Sequence, residues 1–344
     1  MKRWRIILLG AVVLMVIGGF FAWRMYSTAF GPGPRFDDGD RILLIPTGST
    51  FDQVVESLKA EGVVTDEKTF RLIAERKKYT QRVKPGRYKV ESGTSLNELI
   101  NKLRSGDQDP VRITFTNIKT LPQLAGQVAK YIEADSTELI QVMRDPTTVE
   151  RSGFRSETMI SVFIPNTYEF WWTTTPEDFL ERMTKEYKRF WTDERKTKAK
   201  AIDLSQAEAA TLASIVQAET AKPDEAPIIA GVYLNRLRIG MPLQADPTLK
   251  FALGMDSLTR ILTEDLQVAS PYNTYTHAGL PPGPINMPEP RYIDAVLNAQ
   301  KNDYLYFCAL ETLDGYSNFA KTYEQHLVNA RRYQRALNER GIYR

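Results

Sequence analysis

The sequence predicts an α+β protein carried on a single N-terminal transmembrane helix. Three features lead there: an uncharged apolar run near the N-terminus, a repeated strand–glycine–helix unit behind it, and longer helices between Pro- and Gly-rich loops from about Asp109 onward. The expected layout is a tip and anchor over 1–26, a linker over 27–40, a small β-α repeat domain over 41–108 and a larger mixed α+β domain over 109–344. With 344 residues the chain is long enough for about two cores, and 42% hydrophobic with 25% charged residues is ordinary globular usage. A net charge of +3, spread along the chain, is too weak for the basic footprint of a nucleic-acid binder, so no nucleic-acid partner is expected. Cys308 is the one cysteine, and His277 and His326 are the two histidines. Internal disulfides, thiolate metal sites and multi-histidine metal centres are thereby excluded; no metal and no cofactor is expected.

The apolar run is Ile6–Trp23, 18 residues that as a helix span about 27 Å, close to the hydrocarbon thickness of a bilayer. Lys2, Arg3 and Arg5 precede it and no acidic residue occurs before Asp37, which orients the N-terminus to the cytoplasm and the rest outside. A cleaved leader is the alternative, since Ser27-Thr28-Ala29 offers a small-x-small site. The run exceeds the usual signal-peptide core of about 7 to 15 residues, which favours an uncleaved anchor in contact with the membrane through residues 6–23. Gly31-Pro32-Gly33-Pro34, with Asp37, Asp38 and Asp40, reads as the linker.

Ile45 to Leu58 aligns with Val90 to Leu103 as strand, glycine turn and amphipathic helix. Phe51, Val54 and Leu58 in one copy, and Leu96, Leu99 and Leu103 in the other, give one apolar stripe each. A fainter third copy runs from Phe115 through Leu121, Leu124 and Val128, and Glu67–Lys78 reads as a helix between the first two. Such β-α units resemble LysM modules, which hold glycans containing N-acetylglucosamine; a non-binding spacer built from the same unit is equally open. Further on, Phe163–Trp172 is the densest aromatic cluster, suited to sugar stacking but for most of its rings to a core corner, and Pro176–Phe190 is an amphipathic helix with Phe179, Met183 and Tyr187 on one stripe.

Ser205-Gln-Ala-Glu208 is a capping box that starts a helix, with Glu208 explained as the cap. Leu212, Ile215 and Val216 form its apolar stripe, and the next position on that stripe is Glu219. Pro223 ends the helix near Thr220, so the carboxylate lies in the last turn, where the helix dipole disfavours negative charge. Burial and dipole both raise its pKa, as a general acid requires. A glutamate that snorkels to solvent or pairs with Arg236 would fit the same spacing.

Ala213-Ser-Ile-Val-Gln-Ala-Glu219-Thr220 is followed in order by Ala230–Leu237, Leu243–Thr248, Tyr272–Tyr275, Gly279–Ile285 and Phe319–His326. These six motifs resemble those of the YceG-like endolytic murein transglycosylases, and the anchor, the β-α repeat and the length agree with that family's layout. The resemblance implies an enzyme, a lytic transglycosylase at the bacterial inner membrane, in which 109–344 is the catalytic domain. It would cut the MurNAc–GlcNAc β-1,4 bonds of peptidoglycan glycan strands internally, leave 1,6-anhydro-MurNAc ends and terminate nascent strands. It implies Glu219 as the catalytic residue and peptidoglycan synthases as the class of protein partner. Many members carry Glu-Lys where this chain has Gln217-Ala218, which removes a neighbouring carboxylate and leaves the catalytic one.

Beside the resemblance, the residues support several substrate-binding candidates. Tyr272, Asn273, Thr274 and Tyr275 mix aromatic faces with amide and hydroxyl groups in a Pro-flanked loop expected to be exposed in the cleft. Gln244, Asp246 and Thr248 join them, although Asp246-Pro247 also has the form of an N-cap followed by proline at the first helical position. Asn235 is a further binding candidate, with catalytic and structural readings equally open for it and Arg236. The three prolines of Gly279–Ile285 suit a stiff cleft wall, and Cys308 reads as a buried strand residue. Two other functions stay in play. A hydrolytic muramidase would need a second carboxylate, with Asp246 and Glu289 as candidates; a wall-binding scaffold would leave Glu219 incidental. The topology has its own test: a reporter active only outside the cytoplasmic membrane, fused after Arg344, should be active, and activity from a cytoplasm-only reporter there would overturn the orientation.

Overall fold

The structure is a computed structural model that describes residues 2–37, 39–255 and 261–342, with backbone alone for 2, 3, 5 and 6. The side chains of the basic flank, Lys2, Arg3 and Arg5, and the linker residue Asp38 lie outside the described residues. The chain divides into two compact units. One takes in Met1–Ile113, Tyr131–Ala134 and Glu169–Thr175, and the other Thr114–Lys130, Asp135–Tyr168 and Pro176–Arg344.

In the first unit, α1 (Lys2–Phe30) carries the apolar run, and within its stretch Ile7–Phe30 an 18-residue window has a mean hydropathy of 2.1, with none of that window buried. The helix continues past Tyr26, and Ala29 in its last turn is buried in the unit's core. The expected linker is docked rather than loose. Gly33 N–H donates to Gly93 O at 3.0 Å and Gly93 N–H to Pro34 O at 2.9 Å, while a Cβ on Gly33 would lie 2.0 Å from Thr94 O. Glycine serves close backbone approach here, not flexibility.

Strand β1 (Arg41–Ile45) pairs antiparallel with β2 (Gly86–Val90), Arg41 facing Val90 and Ile45 facing Gly86. Between them lie α2 (Phe51–Ala60) and α3 (Glu67–Arg76); α4 (Leu96–Ser105) and β3 (Val111–Thr114) follow. Thr50 with Gln53, and Ser95 with Glu98, form reciprocal capping boxes that start α2 and α4 at equivalent places in the repeat. The predicted stripes are buried at Val54, Leu58, Leu96, Leu99 and Leu103, and Phe51 stacks on Phe70 with ring centroids 6.0 Å apart. The helix expected to reach Lys78 ends at Arg76, and Lys78 takes a left-handed φ of 59°.

The second unit contains α5 (Leu121–Val128), α6 (Ser136–Arg144), α7 (Pro146–Arg151), α8 (Pro176–Phe190) and α9 (Asp193–Ala201); β4 (Thr167–Phe170) precedes α8, with Thr167 and Tyr168 in this unit and Glu169 and Phe170 in the first. Then come α10 (Gln206–Glu219), α11 (Ala226–Arg238), α12 (Asp246–Leu253), α13 (Pro290–Leu297), β5 (Tyr306–Ala309), β6 (Ser317–Ala320) and α14 (Tyr323–Glu339). The first unit's sheet is the pair β1-β2, and the second unit's is the pair β5-β6. Helix α8 has the predicted bounds and buries Phe179, Met183 and Tyr187. In the aromatic cluster Phe163, Tyr168 and Phe170 are core, and Trp171 is exposed. Cys308 is half-exposed rather than buried, because β5 has β6 as its one strand neighbour and the faces of so small a sheet are incompletely covered.

At the centre of this unit lies α10, with α9, α11, α12 and α13 packed around it. Ala209 to Val216 are buried without a break, so the helix is enclosed on all sides instead of presenting the single stripe that its spacing suggested. The proline-rich loop straps it: Ile285 N–H donates to Ser214 Oγ at 3.0 Å, Asn286 Nδ2 donates to Ser214 O at 3.0 Å, and a Cβ on Gly283 would lie 2.0 Å from Glu157 O.

Candidate active site

The site begins where α10 runs out of cover. Ser205 and Glu208 cap its start reciprocally, as the sequence predicts, and Thr220 ends it in an extended conformation. The last turn, Gln217 to Glu219, reaches the surface, and Glu219 itself is half-buried. Protein groups surround its carboxyl closely enough that desolvation pushes its pKa up to about 7; the negative charge of Asp246 adds to the rise. A hydrogen bond from Tyr233 and the charges of Arg236 and Lys250 act in the opposite direction.

Tyr233 comes from α11 and is 1% exposed. Its hydroxyl donates to Glu219 Oε1 at 2.8 Å, and its ring meets Phe307 edge-on with centroids 5.8 Å apart. Burial, followed by the Glu219 charge, lifts the Tyr233 hydroxyl well above its ordinary value, so it remains a donor throughout the physiological range. Tyr233 leaves Oε2 without a hydrogen-bond partner among the described residues. Tyr233 is the functional residue that sequence reasoning missed. Its signal was available: it lies three residues before Arg236, on one face of α11, and a buried tyrosine hydroxyl requires a partner.

Arg236 does not form an ion pair with Glu219. Its guanidinium donates to Leu305 O and Leu243 O, each at 2.6 Å, and lies over the Tyr306 ring at 5.4 Å. It is 7% exposed, and no carboxylate pairs with it among the described residues. It therefore fixes the 242–243 and 305–306 segments against α11 while keeping a positive charge near the acid. Asn235, a binding candidate from sequence, faces away. One residue advances an α-helix by about 100°, so Asn235 stands roughly 200° round from Tyr233. Its amide donates to Asn302 O at 2.9 Å and Tyr304 O at 3.0 Å, which makes it a brace.

The remaining candidates lie in two segments that the fold brings together. Thr248, Asn273 and Thr274 are 0%, 0% and 1% exposed, which corrects the expectation of an exposed polar loop. Thr248 and Thr274 share a hydroxyl hydrogen bond of 2.8 Å, Thr274 Oγ1 accepts from Ala245 N–H at 3.0 Å, and Gln244 N–H donates to Thr274 O at 3.0 Å. Asn273 donates to Leu266 O and Val268 O and accepts from Tyr275 N–H, so it shapes its own loop. These buried groups hold two others in place at the surface: Tyr275 donates its hydroxyl to Asp246 Oδ1. The N-cap reading of Asp246 is also corrected, because Ala245 is the N-cap residue, Asp246 is the first residue of α12 and its side chain makes no capping bond. Gln244 is exposed with φ 49°, a left-handed conformation that costs a non-glycine residue on the order of 1–3 kcal/mol. Tyr272 is half-buried and packs on Phe251 with centroids 4.8 Å apart. Glu289, the other candidate for a second carboxylate, pairs with Arg291 at 2.8 Å, and its N–H donates to Gln217 Oε1 at 2.7 Å.

The sequence matches the YceG-like family over residues 43–332. It is 31% identical over 342 residues to an endolytic murein transglycosylase of Bacillus subtilis (strain 168), covering 95% of this chain and 93% of that one. A second relative, an endolytic murein transglycosylase of Streptococcus pneumoniae serotype 2 (strain D39), is 29% identical over 346 residues; the match covers 92% of this chain and 62% of that longer protein. The crystal structure of a putative YceG-like protein from Listeria monocytogenes superposes with a TM-score of 0.58 at 26% identity, covering 85% of this chain and 99% of that one.

The raised pKa of Glu219 has a consequence for stability. Its folded-state value, about 7, lies above its ordinary 4.5, so ionisation is resisted in the folded state alone. The cost is absent below pH 4.5, grows as pH rises and is complete above pH 7, at up to about 3 kcal/mol. Glu219→Gln should therefore gain stability relative to the native chain between pH 4.5 and pH 8, read from denaturant midpoints at both values. A difference that does not change with pH would show that the carboxyl is solvated.

Proposed function

Because the chain belongs to the YceG-like family, we propose that it is an endolytic murein transglycosylase, tethered by α1 to the bacterial inner membrane with its N-terminus in the cytoplasm and both compact units outside. The observation that carries this reading is the half-buried Glu219, whose carboxyl keeps its proton near neutral pH while Tyr233 fixes one of its oxygens. Such a group can deliver a proton to the oxygen of a MurNAc–GlcNAc bond. As that bond breaks, the 6-hydroxyl of the same MurNAc attacks C1 and yields its proton to the glutamate. The acid is restored, and the strand ends in 1,6-anhydro-MurNAc. The nucleophile belongs to the substrate and is held on the same ring, so neither a second carboxylate nor a positioned water is needed.

The surroundings suit this chemistry. Asp246, tied to Tyr275, places negative charge near the acid, where it favours both the protonated glutamate and the positive charge developing on the sugar ring. Glu289 is committed to Arg291, which leaves Asp246 as the one candidate second carboxylate of the muramidase reading. Gln244, Tyr272 and Tyr275, with Asp246, are the groups that meet the glycan; Thr248, Asn273 and Thr274 position them, and Asn235 braces the 302–304 segment against α11. The β1-α2-α3-β2 arrangement of the first unit supports a LysM-like, glycan-holding role there.

Two measurements test the reading. Since the acid form is the active one, kcat/KM on purified peptidoglycan should fall about tenfold per pH unit above 7. Tyr233→Phe removes a donor that stabilises the carboxylate and should move that limb to higher pH, while Glu219→Gln should lose roughly 10²- to 10⁴-fold in rate with its fold intact. An unshifted limb in Tyr233→Phe, or a fully active Glu219→Gln, would overturn the assignment. Digestion in ¹⁸O-labelled water should leave the new ends unlabelled and lighter by one water than hydrolytic ends. Label at a reducible terminus would establish hydrolysis instead.

A further inference from the structure

Two cavities open beside the end of α10. One, about 380 Å³, has Gln217, Ala218, Pro247 and Lys250 in its wall; the other, about 470 Å³, has Arg144, Glu157 and Tyr272. Lys119 and Phe251 line both, so the cavities are consecutive stretches of one groove that starts at the catalytic turn. Its charge is one-sided. Lys250, Lys119 and Arg144 follow one another along it, and among the described residues of the lining Glu157 is the one acidic side chain. Lys250 is near enough for its charge to act on Glu219. Neither Lys250 nor Arg144 has a carboxylate ion-pair partner among the described residues, and Arg144 is exposed. At the inner end Gln217 is neutral, and its amide oxygen accepts from the Glu289 N–H.

A glycan backbone whose lactyl carboxyls are closed as peptide amides offers nothing for such a row of cations to bind, because its hydroxyl and acetamido groups are neutral. The anionic groups of murein stand off the backbone, on the peptide attached to the lactyl ether of each MurNAc. From the charge row and its start at the acid, and resting on the transglycosylase reading, we propose that this groove receives the carboxylate-bearing stem peptide of a MurNAc beside the scissile bond. The enzyme then prefers peptide-bearing strands to stripped ones. The preference acts on binding, since the cations meet a part of the substrate that does not react.

The test compares the full-length protein on two substrates, intact glycan strands with their stem peptides and the same strands after an amidase has removed the peptides, which leaves one lactyl carboxylate against each MurNAc ring in place of the peptide carboxylates that reach further along the groove. The native chain should show a ratio of kcat/KM values above one in favour of the peptide-bearing strands, carried by KM and eroded by added salt. Arg144→Glu should reduce that ratio by roughly two- to fivefold, the scale of one exposed charge contact, and Arg144→Lys should restore it. A native ratio of one or less, or a ratio unmoved by Arg144→Glu, would overturn the proposal and leave the transglycosylase reading standing. Failure of the native chain to cut either strand would overturn both.

Discussion

The hydrogen bond from Tyr233 to Glu219 is the point on which the second unit's organisation turns. A carboxyl can be desolvated at a helix C-terminus only if its surroundings tolerate the cost, and three features here do so. The helix beneath it is enclosed from Ala209 to Val216, so the end of α10 is rigidly placed. A buried tyrosine satisfies one carboxyl oxygen, and a buried arginine, itself satisfied by backbone carbonyls, tempers the field. The balance leaves the acid protonated near neutrality instead of ionised or locked in a salt bridge. Had Arg236 closed directly on Glu219, the pKa would have gone down and the proton with it.

Rigidity in the facing wall comes from buried polar groups. Thr248 and Thr274 join the start of α12 to the loop before His277 by hydrogen bonds that run among themselves and to the backbone. Each such bond contributes about 1 kcal/mol net, but leaving either hydroxyl unpaired in that setting would cost more. The pairing also holds Gln244 in its left-handed conformation, since its N–H is fixed by Thr274 O. The strain is local and sits next to Asp246, where surrounding hydrogen bonds over-determine the backbone.

The first unit solves a different problem, the attachment of an exposed apolar helix to a small core. The close approach of Gly33 to Thr94 and the paired bonds between the 33–34 and 93 backbones fasten the segment after α1 to the turn before α4. The two copies of the β-α unit use the same devices at the same places. Gly48 and Gly93 take positive φ values of 81° and 85° at the turns, and capping boxes at Thr50 and Ser95 set the helix starts.

Local chemistry was legible in the sequence because it is local. The capping box at Ser205, the repeat, the bounds of α8, the end of α10 and the presence of a carboxylate on an apolar stripe all follow from residues within a few positions of one another. The candidate active residue was among them. What tertiary structure decided was which side chains face it. Tyr233 rather than Arg236 holds Glu219, Asp246 meets Tyr275 instead of capping its helix, and Thr248, Asn273 and Thr274 lie under the surface instead of on it. Nor does anything local assign Tyr131–Ala134 and Glu169–Thr175 to the first unit. For Glu219 with Tyr233, Thr248 with Thr274 and Asp246 with Tyr275 the partner lies 14 or more residues away, and no propensity or spacing rule acts over that distance. The hydroxyls and amides of such a loop suit a ligand or a neighbouring backbone equally well, and packing of the whole chain determines which of the two they meet.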